Sequence, residues 1–127
     1  MNITIKTIPH SEQRYDTAGD WWFDDDGDLQ IRVSDVGHGP WAPNLGWKFE
    51  ALIAFHELAE ALLCECRGIN TDEIDAFDRA FDRDGEPGDE PDSPYRNEHF
   101  FATTVERLLA AELKVDWLEY GKAIEEL

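Results

Sequence analysis

The segment from Leu45 to Arg67 constrains this chain most: its apolar residues recur at helical spacing, and ionisable residues stand among them. On a wheel at about 100° per residue with His56 at zero, Phe55, Leu62, Cys66, Ala59, Leu52, Leu63, Phe49 and Ile53 fill an arc from roughly −120° to +60°. His56 lies near the middle of that arc and Glu60 about 40° from it, whereas Glu57, at about 100°, sits on the rim. A carboxylate on a core-facing stripe is costly unless it is paired, protonated or bound to a cation. Gly68 then supplies the helix stop.

A later helix repeats the anomaly. Ser93-Pro94 reads as an N-cap followed by proline at the first helical position, opening a helix that runs to about Leu113. Tyr95, Ala102, Val105, Leu109, Ala110 and Leu113 define its apolar arc, and His99 and Glu106 fall at the centre, about two turns apart. The small residues Ala102 and Thr103 lie between them and leave space beside the imidazole.

If the two stripes face each other, they converge on one cation. The i, i+4 spacing lets His56 and Glu60 give two ligands from adjacent turns. His99 completes a His₂Glu set, which suits zinc with an open fourth position. Glu106 as a fourth ligand would favour iron or manganese. Alternatively, Glu106 holds a ring N–H of His56 or His99. Without a metal, the same residues would form hydrogen-bonded pairs inside the core.

The rest of the chain frames these helices. Ile3, Ile5 and Thr7 alternate with polar residues as a first strand ending at Pro9. Trp21-Trp22-Phe23 and Leu29 to Ser34 flank an Asp-Gly turn, a hairpin signal that puts Leu29, Ile31 and Val33 on one face. Gly37 to Asn44, with His38 and Trp41 inside it, reads as a loop. Asn70 with Glu73 resembles a capping box for a helix from Thr71 to about Phe81. Residues 82–92 form an acidic loop, and Val115 to Ile124 continues as a short fourth helix. The expectation is one α+β domain over 1–127. A small antiparallel sheet of about three strands (about 1–36) precedes three to four helices (about 45–127).

Net charge is −18 with pI near 4.3. That charge repels nucleic-acid phosphates and favours divalent cations or a partner with a basic surface. No apolar run approaches the ~20 residues that span a bilayer, and the N-terminus lacks signal-peptide regions. Cys64 and Cys66 stand about 200° apart on the helix, so they are expected as buried free thiols in a reducing, cytoplasmic setting.

His56-Glu57-Leu58-Ala59-Glu60 resembles the H-E-x-x-H helix of zincin metallopeptidases, with Glu60 in the place of the second histidine. The resemblance implies a minimal zincin-like arrangement, a small sheet before the motif helix and a third ligand on a later helix. In it His56, Glu60 and His99 would be metal ligands and Glu57 the catalytic base. The whole chain also resembles a group of small acidic proteins of bacteriophages and prophages. That likeness rests on Ile3-Thr4-Ile5-Lys6-Thr7-Ile8-Pro9, Gly19-Asp20-Trp21-Trp22, the His56 to Ala61 helix, Asp75-Ala76-Phe77-Asp78, and Pro94-Tyr95 through His99. It implies an origin in an infected bacterial cytoplasm.

Other signals carry less. Asp24 to Asp28 and Asp82 to Glu86 lack a calcium loop's first and last ligands. Asp75 and Asp78 are expected at a solvated helix surface. His10 and His38 have no partner spacing, and Trp21, Trp22, Trp41 and Trp47 read as packing. Two functions remain. One is a metal-dependent, peptidase-like hydrolase in which Glu57 takes a proton from water. The other is a non-enzymatic accessory protein whose acidic surface imitates nucleic acid and blocks a basic host factor. A redox carboxylate-bridged site needs more bridging carboxylates than these helices offer.

Overall fold

A computed structural model describes residues 1–37, 39–40 and 44–127; His38 and Trp41, and with them part of the expected 37–44 loop, lie outside the described residues. Three strands precede four helices, as the α+β reading expects: β1 (Ile3–Ile8), β2 (Gly19–Phe23), β3 (Leu29–Ser34), α1 (Gly46–Cys66), α2 (Thr71–Ala80), α3 (Arg96–Glu112) and α4 (Trp117–Glu125). Short 3-10 turns stand at His10–Glu12 and Pro87–Asp89.

The sheet is mixed rather than wholly antiparallel. β2 and β3 form the expected antiparallel hairpin, with Trp21 opposite Ile31 and Phe23 opposite Leu29. Asp24 shapes its turn, accepting hydrogen bonds from the Asp26 and Asp28 backbone. β1 joins the other edge of β3 in parallel, with Ile5 opposite Ile31. Period-two alternation reports the face of a strand and is silent on which edge it joins.

Leu29, Ile31 and Val33 are fully buried on the face that α1 covers. Ile3 and Ile5 share that face, yet α1 reaches β2 and β3 and leaves both isoleucines half-exposed. On the opposite face, Arg14 clamps the buried Asp20 at 2.6 and 2.9 Å, and its guanidinium lies 4.6 Å over the Trp22 ring. His10 is also held there, with Nδ1 2.8 Å from Ser34 Oγ and Nε2 2.8 Å from Asp16. A residue without partner spacing in sequence thus has partners in space.

Helix ends follow local chemistry. α1 stops where Gly68 adopts φ +65°, which returns the Ile69 N–H to the Cys64 carbonyl at 3.0 Å. Asn70 caps α2 by accepting from the Asp72 and Glu73 backbone. α3 begins later than Ser93-Pro94 suggests. Ser93 Oγ accepts from the Tyr95 N–H at 3.3 Å, but helical geometry starts only at Arg96.

The buried arc of α1 is rotated from the expected one. Phe49, Leu52, Ile53, His56, Glu60, Ala61 and Cys64 are buried, while Phe55 and Leu62 are exposed. The arc therefore centres near Glu60 and takes Glu57 off the rim, because α1 is covered from two directions, by the sheet and by α3. A wheel weighted by side-chain apolarity cannot register that. The same rotation buries Cys64, whose thiol burial pushes up, and exposes Cys66, correcting the expectation that both are buried.

Candidate metal centre

α1 and α3 form the most extensive helix contact in the fold, and the two polar anomalies meet inside it. The His56 and His99 ring centroids lie 4.8 Å apart. Between the rings sits Glu60. Its Oε2 is 3.1 Å from His56 Nε2 and 2.9 Å from His99 Nδ1, while its Oε1 accepts from Trp21 Nε1–H at 3.0 Å. All three residues are buried. One ligand atom from each of His56, Glu60 and His99 lies within 4.8 Å of the other two, a group compact enough to hold one cation.

Glu106 takes a different place from that of a fourth ligand. Its Oε1 is 2.8 Å from His56 Nδ1, on the ring nitrogen turned away from Glu60, and its Oε2 accepts from Tyr120 O–H at 2.6 Å. Tyr120, on α4, thus orients Glu106, and Glu106 orients His56. A carboxylate on the distal nitrogen fixes the tautomer that leaves the near nitrogen available to a metal.

The electrostatics follow from this crowding. Burial alone would lower the His56 pKa, but Glu106 and Glu60 hold it well above its usual value. His99 behaves likewise: burial lowers it, Glu60 and Glu86 raise it more, and it stands at about 10. For Glu60, burial pushes upward and the two imidazoles pull harder downward, to about 2. Without a metal, the contacts favour the charged form of all three groups, a carboxylate between two protonated rings.

Glu57 is half-buried and faces β2. Burial pushes its carboxyl well above the usual range, Glu60 and Asp20 add to that, and His56 and His99 oppose it. Gly19 makes the room. A Cβ there would stand 2.6 Å from Glu57 Oε1 and 2.7 Å from Ile53 Cγ2. Gly19→Ala is accordingly expected to cost about 1–3 kcal/mol by overpacking. Urea denaturation checks this, and an unchanged midpoint would contradict it.

The acidic loop is part of the site. Gly88 is buried, and a Cβ on it would overlap the His99 ring, 2.5 Å from Nδ1, so only glycine lets the Pro87–Asp89 turn lie flat on the imidazole. The turn brings Glu86 Oε2 to 3.0 Å and Asp89 Oδ1 to 3.3 Å from His99 Nε2. Tyr95 packs edge-on against the same ring at 5.9 Å. Its O–H donates to Asp78 at 2.7 Å, which also accepts from Tyr15 O–H at 3.1 Å. Asp78 is therefore anchored rather than solvated, with burial lifting its carboxyl to about 6 against the two tyrosines. Asp75 pairs with Arg14 at 3.2 Å.

His56, Glu57, Glu60, His99 and Glu106 all line one cleft of about 970 Å³, which the sheet edge, α2, α4 and the acidic loop also border. Sequence reasoning missed Trp21, Tyr120, Glu86 and Asp89. Trp21 had a usable signal, since it faces the core from β2 and a buried indole N–H requires an acceptor. Tyr120 and the loop acids had none, because they reach the site through tertiary packing. No family model matches this sequence, and no curated protein or solved structure matches it either.

Proposed function

We propose that this chain is a divalent-metal protein, with zinc the favoured ion, and that the metal serves a peptidase-like hydrolysis in the cleft between α1, α3 and β2. The observation that carries the reading is the convergence of His56 Nε2, Glu60 Oε2 and His99 Nδ1. Trp21 holds Glu60's remaining oxygen and Glu106 holds His56's remaining nitrogen. A buried carboxylate shared by two imidazoles is expensive as a purely structural device, and a cation among them accounts for it.

His56, Glu60 and His99 would hold the ion, three protein ligands and an open position being the pattern of catalytic rather than structural zinc. When bound, the ion would supply Lewis acidity toward a carbonyl and toward water. The chain's own residues do the rest. Glu57, across the cleft against Gly19, takes a proton from the attacking water on a carboxylate oxygen and passes it to the leaving amine. Glu106 and Tyr120 keep the His56 ring in register. Tyr95 and the Pro87–Asp89 turn close the far side of His99.

Proton release tests this reading. Both imidazoles are held toward the protonated form when metal-free, so each would lose a proton from its near nitrogen as the ion enters. The tightest-binding zinc ion is therefore expected to release about two protons at neutral pH, and affinity should rise with pH up to the range where His99 titrates. Calorimetric titration in buffers of different ionisation enthalpy measures the number. Absence of binding, or binding without proton release, would sink the proposal.

A further inference from the structure

Beyond the ion between the helices, we propose a second divalent-cation site at the mouth of the cleft, formed by Glu86, Asp89 and His99 Nε2. The ligand atoms of these three residues also lie within 4.8 Å of one another. The two carboxylates are largely exposed, so by themselves they would be an ordinary acidic surface. His99 makes the difference.

Its side chain is only 7% exposed, and its Nε2 is a buried polar atom with no hydrogen bond among the described residues. The two carboxylate oxygens are close, at 3.0 and 3.3 Å, but the ring N–H direction misses both. Without a metal, a protonated ring pairs with the two carboxylates by charge alone, and a divalent cation would take that proton's place among the three ligand atoms. The arrangement is also built rather than incidental. Glu86 precedes and Asp89 ends the Pro87–Asp89 turn, and Gly88 seats that turn on the imidazole where any side chain would collide.

One imidazole and two carboxylates suit zinc or manganese, with the exposed side left to water. With both sites filled, His99 would be an imidazolate, its Nδ1 proton having passed to solvent with the inner ion and its Nε2 proton with the mouth ion. The count of two rests on the proposed site between the helices; the mouth site does not.

Equilibrium dialysis against Zn²⁺ separates the two. Wild type is expected to hold about two ions per chain, and Glu86→Gln/Asp89→Asn and His56→Ala about one each. The loop variant changes exposed side chains, so its fold is preserved, and circular dichroism verifies that. One ion in wild type and one in the loop variant would overturn the mouth site while leaving the inner one. One ion in wild type, none in the loop variant and one in His56→Ala would keep the mouth site and end the inner-site reading. No zinc in wild type would overturn both.

Discussion

Glu60→Gln is expected to destabilise the metal-free protein by about 3–5 kcal/mol, the loss typical of a buried ion pair deprived of one partner. Glu60 is buried and receives His56, His99 and Trp21 on its two oxygens. Glutamine can still accept from the indole. Its amide, however, meets an imidazole N–H donor to donor, and two buried imidazoles lose their counter-charge. The pH profile should change with it. His99, raised from 6.5 to about 10, contributes stability that is full below pH 6.5 and lost as pH rises through about 10. Glu60, lowered from 4.5 to about 2, contributes stability that is full above pH 4.5 and lost as pH falls toward 2. These groups therefore stabilise the metal-free wild type most between about pH 4.5 and 6.5, and the variant should flatten that maximum. Urea denaturation in chelator across pH reads both effects; an unchanged profile would contradict the charge assignment.

Glu57→Gln is expected to keep the bound ion and lose about 10²–10⁴ in turnover, the usual worth of a positioned general base. The two side chains are isosteric, so the pocket against Gly19 stays filled. Stability gives an internal control. A carboxyl whose pKa is raised by burial costs the fold stability as pH rises above its ordinary value of 4.5, so the amide variant should lack that loss and gain on wild type as pH rises. Turnover of an unstructured peptide, set beside metal content, checks the pair of effects. A retained rate would remove Glu57 from the mechanism and leave the ion a structural role.

Much of this site was legible because helical periodicity is a strong signal and a carboxylate on an apolar stripe is rare. The pairing of His56 with Glu60, and their meeting with His99, follow from two stripes that must bury against each other. Glu106 was legible as a participant, but its position on His56 Nδ1 depends on Tyr120, and no spacing links α3 to α4 in that way. Glu57 was misplaced on the rim because Phe55 and Leu62 drew the apolar arc toward themselves, while the sheet selects the other flank of α1. The acidic loop shows the opposite failure. Composition makes residues 82–92 look loose, yet one glycine packed on one imidazole ties them down. In the sheet, alternation identified the strands and their inner faces, while the edge joined by β1 follows from how residues 9–18 carry the chain across β3.

Crystals grown with zinc and measured at its absorption edge would locate the ion directly. Anomalous density is expected between α1 and α3, about 2.0–2.2 Å from His56 Nε2, a Glu60 oxygen and His99 Nδ1. Glu60 still bridging both rings by hydrogen bonds, with no density between them, would mean that these residues form a polar network and hold no metal.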